Sequence, residues 1–226
     1  MVQLATMNKS PDHMTVVFMG DSITEGQYVH HSLRWAEIVS SRIKRRFAAQ
    51  IDPDRQYHYV RGVSGETTRQ GLERFPRDVQ QLRPDVMTLQ FGLNDCNCWD
   101  TDLGLPRVSP PAYRANLAEM IERARRFGAK HIILSTNHAT LRLRPLACGR
   151  TLEEQRLEYN DIVRALAREA GVTLFDIARP FEALDQAALA EMLLPEPDVL
   201  HLSAKGHGKY AEAIYALVER AVADLL

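Results

Sequence analysis

Short apolar runs alternate along the chain with stretches in which apolar residues recur three or four positions apart. The runs are rich in β-branched and aromatic side chains, as expected for strands that are buried on both faces. They lie at 15–19, 57–60, 85–91, 131–135 and 172–175. In the stretches between the runs, apolar residues recur with the spacing of one face of a helix. This alternation predicts an α/β fold with a five-stranded parallel sheet and helices on both of its faces.

Capping residues predict where several of the helices begin. Ser109, Thr151 and Ser203 each precede an apolar helical stripe, and all three are residue types that commonly cap a helix N-terminus. Thr151 and Glu154 also have the spacing of a capping box. Further helices are predicted over 33–48, 72–82 and 185–193.

The composition along the chain predicts one domain. Residues 15–226 show no break between strand-like and helix-like segments, and residues 1–14 are interpreted as an N-terminal extension. This extension has no continuous apolar core, so we do not expect it to be a signal peptide. No later stretch approaches membrane-spanning length, and the sequence therefore predicts no membrane partner.

Charge and cysteine content narrow the functional classes. The 28 basic and 29 acidic residues leave a formal net charge of -1, which does not favour nucleic-acid binding. Three cysteines cannot build a disulfide framework, and Cys96 and Cys98 are too close in sequence to bridge without strain. A reduced, cytoplasmic protein is expected. These two cysteines with a distant histidine do not supply four zinc ligands at the usual spacing, so no metal is predicted.

Polar residues follow the first strand directly. Asp21 and Ser22 come immediately after the apolar run, at the end of a parallel strand where such sheets bind their ligands. Ser22 is therefore a candidate nucleophile. Asp and Ser are also ordinary capping residues, so the same pair is consistent with a simple helix cap.

Other strand ends and the last loop supply the groups that a serine nucleophile needs. His201 is a candidate base, and Asp198 lies three residues earlier, where it can orient the imidazole. The Asn94 side chain and the backbone N–H groups of Gly65 and Ser22 are candidate oxyanion donors. Each also has a structural interpretation: Gly65 as a turn, Asn94 as a cap, and the Asp-x-x-His pair as a surface feature.

Taken together, these residues resemble the SGNH family, also called GDSL hydrolases. The resemblance rests on four segments in the family's order: Gly20-Asp21-Ser22, 62–67, Gly92-Leu93-Asn94-Asp95 and 198–201. It implies a flavodoxin-like, three-layer α/β/α fold without a metal or organic cofactor. It also implies a catalytic triad of Ser22, Asp198 and His201, with Ser22, Gly65 and Asn94 forming the oxyanion hole. The chain departs from the family in having Ile23 in place of leucine, and in lacking glycine and proline around His201.

Substrate contacts are predicted at four further residues. Asn137 and His138 follow the fourth strand, whose end faces the same crevice, and Asp21 precedes the nucleophile. Trp99 is a candidate platform for a sugar ring, although it could equally pack into the core. The two loops at 96–109 and 136–150 mix leucines with many charged residues and amides, which favours a polar alcohol over a long apolar chain.

The function predicted from the sequence is a serine esterase that works through an acyl-enzyme. Its expected substrate is a short-chain ester, most simply an acetyl ester, of a polar or carbohydrate alcohol. Three alternatives stay open: a lipase, lysophospholipase or thioesterase for longer acyl chains, an O-acyltransferase with the same triad, and a non-enzymatic binding module. Self-association into a homo-oligomer is also left open.

Overall fold

A computed structural model describes residues 13–226, and its centre is a parallel sheet of five strands in the order β2-β1-β3-β4-β5. The strands are β1 (Met14–Gly20), β2 (Gln56–Gly62), β3 (Val86–Gln90), β4 (His131–Ser135) and β5 (Thr173–Phe175). Both β1 and β3 are buried along their whole length, as their unbroken apolar runs predict.

Helices cover the two faces of the sheet. They are α1 (Ser22–Glu25), α2 (Trp35–Arg46), α3 (Thr68–Phe75), α4 (Pro110–Arg126), α5 (Leu152–Ala170), α6 (Ala178–Glu182), α7 (Gln186–Met192) and α8 (Ala204–Ala223). Helix α2 packs against α8, while α3, α4 and α5 pack side by side. The result is the three-layer α/β/α fold that the sequence predicts. No helix within residues 13–226 combines the length and the apolar character that crossing a membrane requires.

The register of the strands gathers the polar loops at one edge of the sheet. Gly20, the last residue of β1, lies opposite Gly62 of β2 and Gln90 of β3. Gln90 in turn lies opposite Ser135 at the end of β4. All four strands therefore end at the same level, and the segments that follow them start side by side.

Several predicted boundaries shift for identifiable reasons. The stripe predicted as one helix over 72–82 is divided at Pro76, because α3 ends at Phe75 and a wider π-type turn follows over Pro76–Gln80. Ser109 occupies the cap position of α4 but makes no capping hydrogen bond. Pro110 and Pro111 follow it and have no N–H, so of the two usual partners of a cap side chain only the Ala112 N–H is left.

The first strand begins one residue earlier than the sequence predicts. Residues 1–12 of the predicted extension lie outside the described residues. Met14, the last residue of that extension, is the first residue of β1 and pairs with Gln56. Two short helices, α1 and α6, were not predicted, because four or five residues are too few to show a helical period.

We expect Trp35 to be a major contributor to stability. It is fully buried, its indole N–H donates to the Ile23 carbonyl at 2.8 Å, and its ring meets Phe18 edge-on at 5.5 Å. Trp35→Phe should lower the free energy of unfolding by about 2–3 kcal/mol, through a lost hydrogen bond and a cavity. Urea unfolding followed by circular dichroism measures this change.

The matched control is the chain's other tryptophan, Trp99, which is 47% exposed. Trp99→Phe should change the free energy of unfolding by about 0.5 kcal/mol or less. Equal losses in the two variants would contradict the packing described for Trp35.

Candidate active site

Ser22 sits at the junction between β1 and α1. Asp21 is the N-cap of α1, and its Oδ1 accepts from the Ile23 N–H at 2.9 Å. Ser22 is the first residue of that helix and is only 5% exposed. The capping role and a nucleophile role considered for this pair are therefore compatible: Asp21 caps the helix, and Ser22 faces the crevice.

Three predicted residues form a continuous hydrogen-bonded chain. His201 Nε2 lies 3.0 Å from Ser22 Oγ, and His201 Nδ1 lies 2.7 Å from Asp198 Oδ2. Burial would raise the pKa of the Asp198 carboxyl, but hydrogen bonds from the His201 backbone and side chain and from the Leu200 N–H lower it below its ordinary value. An ionised Asp198 can orient His201 with Nδ1 protonated and Nε2 free to accept the serine proton.

The loop that carries this pair is folded around the Asp198 carboxylate. Oδ1 accepts from the N–H groups of His201 at 2.7 Å and Leu200 at 3.0 Å. Between them, Val199 has a φ of 46°, in the left-handed region that β-branched residues rarely adopt. Glycine would adopt this conformation without strain. Because the loop has valine at this position instead, its backbone is strained there. The Leu141 N–H donates to the Val199 carbonyl at 2.9 Å and supports the strained residue.

Asn94 is hydrogen-bonded to the segment that contains Gly65. Gly65 has a φ of 77°, is exposed, and has open space where a Cβ would stand. Asn94 Nδ2 donates one of its two hydrogens to the carbonyl of Glu66 at 3.0 Å. No acceptor within residues 13–226 takes the second amide hydrogen. Ser22, as the first residue of α1, contributes an N–H that has no partner within the helix.

Close packing holds the Gly65 loop against α1, the helix that begins with Ser22. A Cβ added at Gly62 would lie 2.1 Å from the Glu25 backbone nitrogen, so only glycine permits α1 to approach β2 this closely. The Glu25 carboxylate then accepts from both the N–H and the hydroxyl of Ser64, the N–H at 2.8 Å. Helix α1 and the Gly65 loop are thus fixed relative to each other.

Asp95, the residue after Asn94, connects this segment to Thr68 at the start of α3. Its Oδ1 accepts from the Thr68 N–H at 2.9 Å and from the Thr68 hydroxyl, while the buried Oδ2 has no partner within residues 13–226. Burial raises the pKa of Asp95 to about 6, against the lowering effect of the Thr68 bonds. This carboxyl acts as a structural clamp under the proposed oxyanion donors.

Three side chains predicted to contact substrate lie beneath the crevice instead. Asp21, Asn137 and His138 are each no more than 1% exposed. Gln90 Nε2 donates to Asn137 Oδ1 at 2.9 Å and to Asp21 Oδ2 at 3.3 Å. In this structure the three side chains lie in the core, Asp21 after β1 and Asn137 and His138 after β4, and direct substrate contact by them stays a prediction.

His138 supports the loop that carries His201. Its Nε2 lies 2.9 Å from the Leu200 carbonyl, and burial lowers the pKa of His138 to about 3. The ring is therefore neutral, and its Nε2–H donates to that carbonyl. His138 positions the residue next to His201.

Trp99 stays exposed, and two other residues near the site were not singled out from the sequence. Arg107 Nη1 donates to the Gly65 carbonyl at 3.0 Å, and its guanidinium lies 4.2 Å from the Trp99 ring centroid. Tyr28 packs edge-on against the His201 ring at 5.4 Å and is 68% exposed. Both contacts are made across loops, so no local pattern in the sequence announces them.

Burial of Asp21 predicts a distinct pH dependence of stability. Burial raises the pKa of Asp21 from 3.8 to about 7, so the folded state keeps a proton that the unfolded state loses between these values. Wild-type stability then falls as pH rises through this window. Asp21→Asn keeps the capping oxygen, so its unfolding free energy relative to wild type should rise by roughly 2–4 kcal/mol from about pH 4.5 to 7.5.

Urea unfolding at several pH values measures this difference, with Asp185→Asn as the control. Asp185 is the exposed N-cap of α7, and its Oδ1 accepts from the Ala188 N–H at 2.8 Å. For Asp185→Asn, the unfolding free energy relative to wild type should change little with pH. A flat difference for Asp21→Asn as well would contradict a buried, protonated cap.

Comparison with known proteins extends the picture beyond single residues. The family model for GDSL-like lipases and acylhydrolases matches residues 18–209. Esterase TesA of Pseudomonas aeruginosa is 27% identical over 58% of this chain and 58% of its own length. Uncharacterized lipoprotein YqeF of Bacillus subtilis is 28% identical over 64% of this chain and 66% of its own length. The chain thus spans less than two thirds of each of these relatives.

Solved structures share the fold. The lipase/acylhydrolase of Enterococcus faecalis superimposes with a TM-score of 0.70 at 23% identity, covering 91% of this chain and 95% of its own. The acetyl xylan esterase AlAXEase gives a TM-score of 0.70 at 21% identity, covering 91% of this chain and 100% of its own. At these identities the likeness establishes the fold alone. Since the family model runs from within β1 to within α8, the chain belongs to the GDSL-like lipase/acylhydrolase family.

Proposed function

We propose that this protein is a carboxylic ester hydrolase that acts through an acyl-enzyme on Ser22. The observation that carries the proposal is the unbroken chain from Ser22 Oγ to His201 at 3.0 Å and from His201 to Asp198 at 2.7 Å. This is the arrangement that a serine needs to become a nucleophile at neutral pH. Membership of the acylhydrolase family supports the same reaction class.

The residues divide the reaction into two similar halves. His201 Nε2 takes the Ser22 proton as Oγ attacks the ester carbonyl, and the N–H groups of Ser22 and Gly65 and the Asn94 amide stabilise the oxyanion. The protonated His201 then gives its proton to the departing alcohol. Water then attacks the acyl carbon while it loses a proton to the same nitrogen, and that proton passes to Ser22 Oγ as the acid leaves. An acyltransferase would differ only in that a second alcohol replaces this water.

A mixed pocket beside Gly65 supports a polar alcohol as the leaving group. It has a volume of about 480 Å³ and is lined by Thr67, Arg69, Gln70, Trp99, Asp102, Leu105, Pro106 and Arg107. An exposed indole offers a stacking surface, and the surrounding amide, carboxylate and guanidinium groups can bind hydroxyls. We therefore propose a short acyl group, most simply acetyl, on a carbohydrate or similarly hydroxylated alcohol. AlAXEase and Axe2, both named for acetyl xylan or acetyl-xylooligosaccharide esterase activity, agree with this proposal.

A second candidate function rests on an apolar pocket near the Asp198 loop. It has a volume of about 520 Å³ and is lined by Leu141, Leu143, Arg144, Gln186, Ala190, Leu194, Pro195, Glu196 and Val199. Such walls would suit a longer acyl chain, as in a lipase, lysophospholipase or thioesterase. A relative from Escherichia coli, 23% identical over 71% of this chain, is named thioesterase 1/protease 1/lysophospholipase L1.

The proposed partner is a small-molecule ester, and the proposed location is the cytoplasm. The free thiols support that location, although one relative is named a lipoprotein. Self-association into a homo-oligomer stays a proposal.

The role of Asn94 can be separated from its structural contact. Asn94→Ala should lower kcat by roughly a hundredfold or more with little change in KM, because the amide acts on charge that develops in the transition state. Asn94→Asp should be at least as harmful, since it puts a negative charge beside the oxyanion. Steady-state kinetics on a chromogenic acetyl ester measures both variants.

Asn116→Ala is the matched control for this experiment. Asn116 Nδ2 donates to the Thr68 hydroxyl at 3.0 Å, so it supports the same loop without belonging to the proposed oxyanion hole. Its kcat should stay within a few-fold of wild type. A comparable loss in Asn94→Ala and Asn116→Ala would assign Asn94 to loop support.

Acyl-chain dependence distinguishes the two candidate functions. If the substrate is an acetyl ester of a polar alcohol, kcat/KM on a series of esters with one alcohol should be highest for acetyl and fall steeply with each added methylene. A rise toward octanoyl would instead favour the apolar pocket near Val199.

With acetylated sugars, Trp99→Ala should raise KM several-fold, whereas Leu103→Ala, at a 93% exposed residue of the same loop, should not.

A further inference from the structure

Two cysteine thiols that are 50 positions apart in sequence meet at one amide group. Gln155 Nε2 lies 3.2 Å from Cys98 Sγ and 3.4 Å from Cys148 Sγ. Arg150 Nη1 donates to the Gln155 Oε1 at 2.8 Å, which turns the amide so that its NH₂ group faces the sulfur atoms. The two thiols therefore lie close together because both contact the same amide nitrogen.

The loops that carry these cysteines are in direct backbone contact. The first loop, 96–109, is closed by an antiparallel β-bridge between Cys98 and Pro106, and the second loop, 136–150, carries Cys148. A Cβ added at Gly104 in that loop would lie only 3.0 Å from the Cys148 Cα. A disulfide requires Cα atoms within about 7 Å of each other, and backbones packed this closely favour that geometry.

The two thiols differ in access and in acidity. Cys98 is 3% exposed, whereas Cys148 is partly open to solvent in a loop whose neighbouring residues are exposed. Burial, reinforced by a hydrogen bond to Cys148, raises the pKa of Cys98 to about 11. Burial of Cys148 would raise its pKa, but hydrogen bonds with the Arg150 backbone, Cys98 and Gln155 lower it below the ordinary value. Cys148 is thus the thiol that reacts first.

We propose that Cys98 and Cys148 are a site of reversible covalent modification, at which they form an intramolecular disulfide that joins the two loops. The oxidant is a low-molecular-weight disulfide, RSSR. The Cys148 thiolate attacks one sulfur of RSSR, which forms a mixed disulfide and releases RS⁻. Cys98 then loses its proton and attacks Cys148 Sγ, which releases the second RS⁻. Two protein thiols and RSSR become one protein disulfide and two RSH.

This disulfide would act on the wall of the crevice rather than on the triad. The first loop carries Trp99 and, just beyond the β-bridge, Arg107, whose guanidinium donates to the Gly65 carbonyl. Cross-linking it to the second loop removes conformational freedom from both in the unfolded chain and should stabilise the protein. The proposal does not depend on the identity of the substrate, because it concerns thiol chemistry alone.

Thiol counting on the native protein tests the proposal. Wild type is incubated with excess glutathione disulfide at mildly alkaline pH, then denatured in an alkylating agent, and its free thiols are counted. The count should fall from three to one and return to three after dithiothreitol. Peptide mapping should show a Cys98–Cys148 link, and the thermal midpoint should rise by several degrees.

Single substitutions supply the controls. Cys96→Ser should still form the link and fall to no free thiols, while Cys148→Ser should form none and show no thermal shift. Cys98→Ser should stop at a stable glutathione adduct on Cys148. The proposal is overturned if wild type keeps all three thiols, if it stops at that adduct, or if the linked peptide contains Cys96.

Discussion

The alignment of the ends of β1, β2 and β3 is the constraint on which the site depends. Gly20 lies opposite both Gly62 and Gln90, so the segments that contain Ser22, Gly65 and Asn94 leave the sheet at one level. Because side chains alternate between faces along a strand, a slip of one residue in any pair would turn the following loop away from the others. Gly62 preserves this alignment locally, since any larger residue would push α1 from β2.

Buried polar groups keep the loops in place once the sheet has brought them together. Asp21, Gln90 and Asn137 form a hydrogen-bonded row under Ser22, and Asp95 anchors Thr68 beside it. Such groups are costly to bury, but when they are paired they define one arrangement of the loops above them. Asp21 and Asp95 keep raised pKa values as a result of this burial. On the opposite side, His138 does the same for the loop of His201 through the Leu200 carbonyl.

Features that depend on local sequence were predictable, and features that depend on contacts between loops were not. Five apolar runs and the caps at Thr151 and Ser203 identify the sheet and two of its helices, because each signal lies within a few residues. The resemblance pointed to Ser22, Asp198 and His201, and the structure brings these three within hydrogen-bonding distance. The burial of Asn137 and His138 was not predictable, because position after a strand does not reveal whether a side chain turns inward. Arg107, Tyr28 and the Cys98–Cys148 pair emerge only when distant loops are folded together.

The central claim is that Ser22 carries the acyl group during turnover, and trapping that group tests it most directly. The protein is mixed with a chromogenic acetyl ester, quenched in acid within the first turnovers, and analysed by intact mass and peptide mapping, with Ser22→Ala as control. The account predicts one acetyl group on the peptide that contains Ser22, its decay at a rate matching turnover, and neither adduct nor turnover in a folded Ser22→Ala protein. Turnover that persists in Ser22→Ala, or a kinetically competent adduct on another residue, would contradict it.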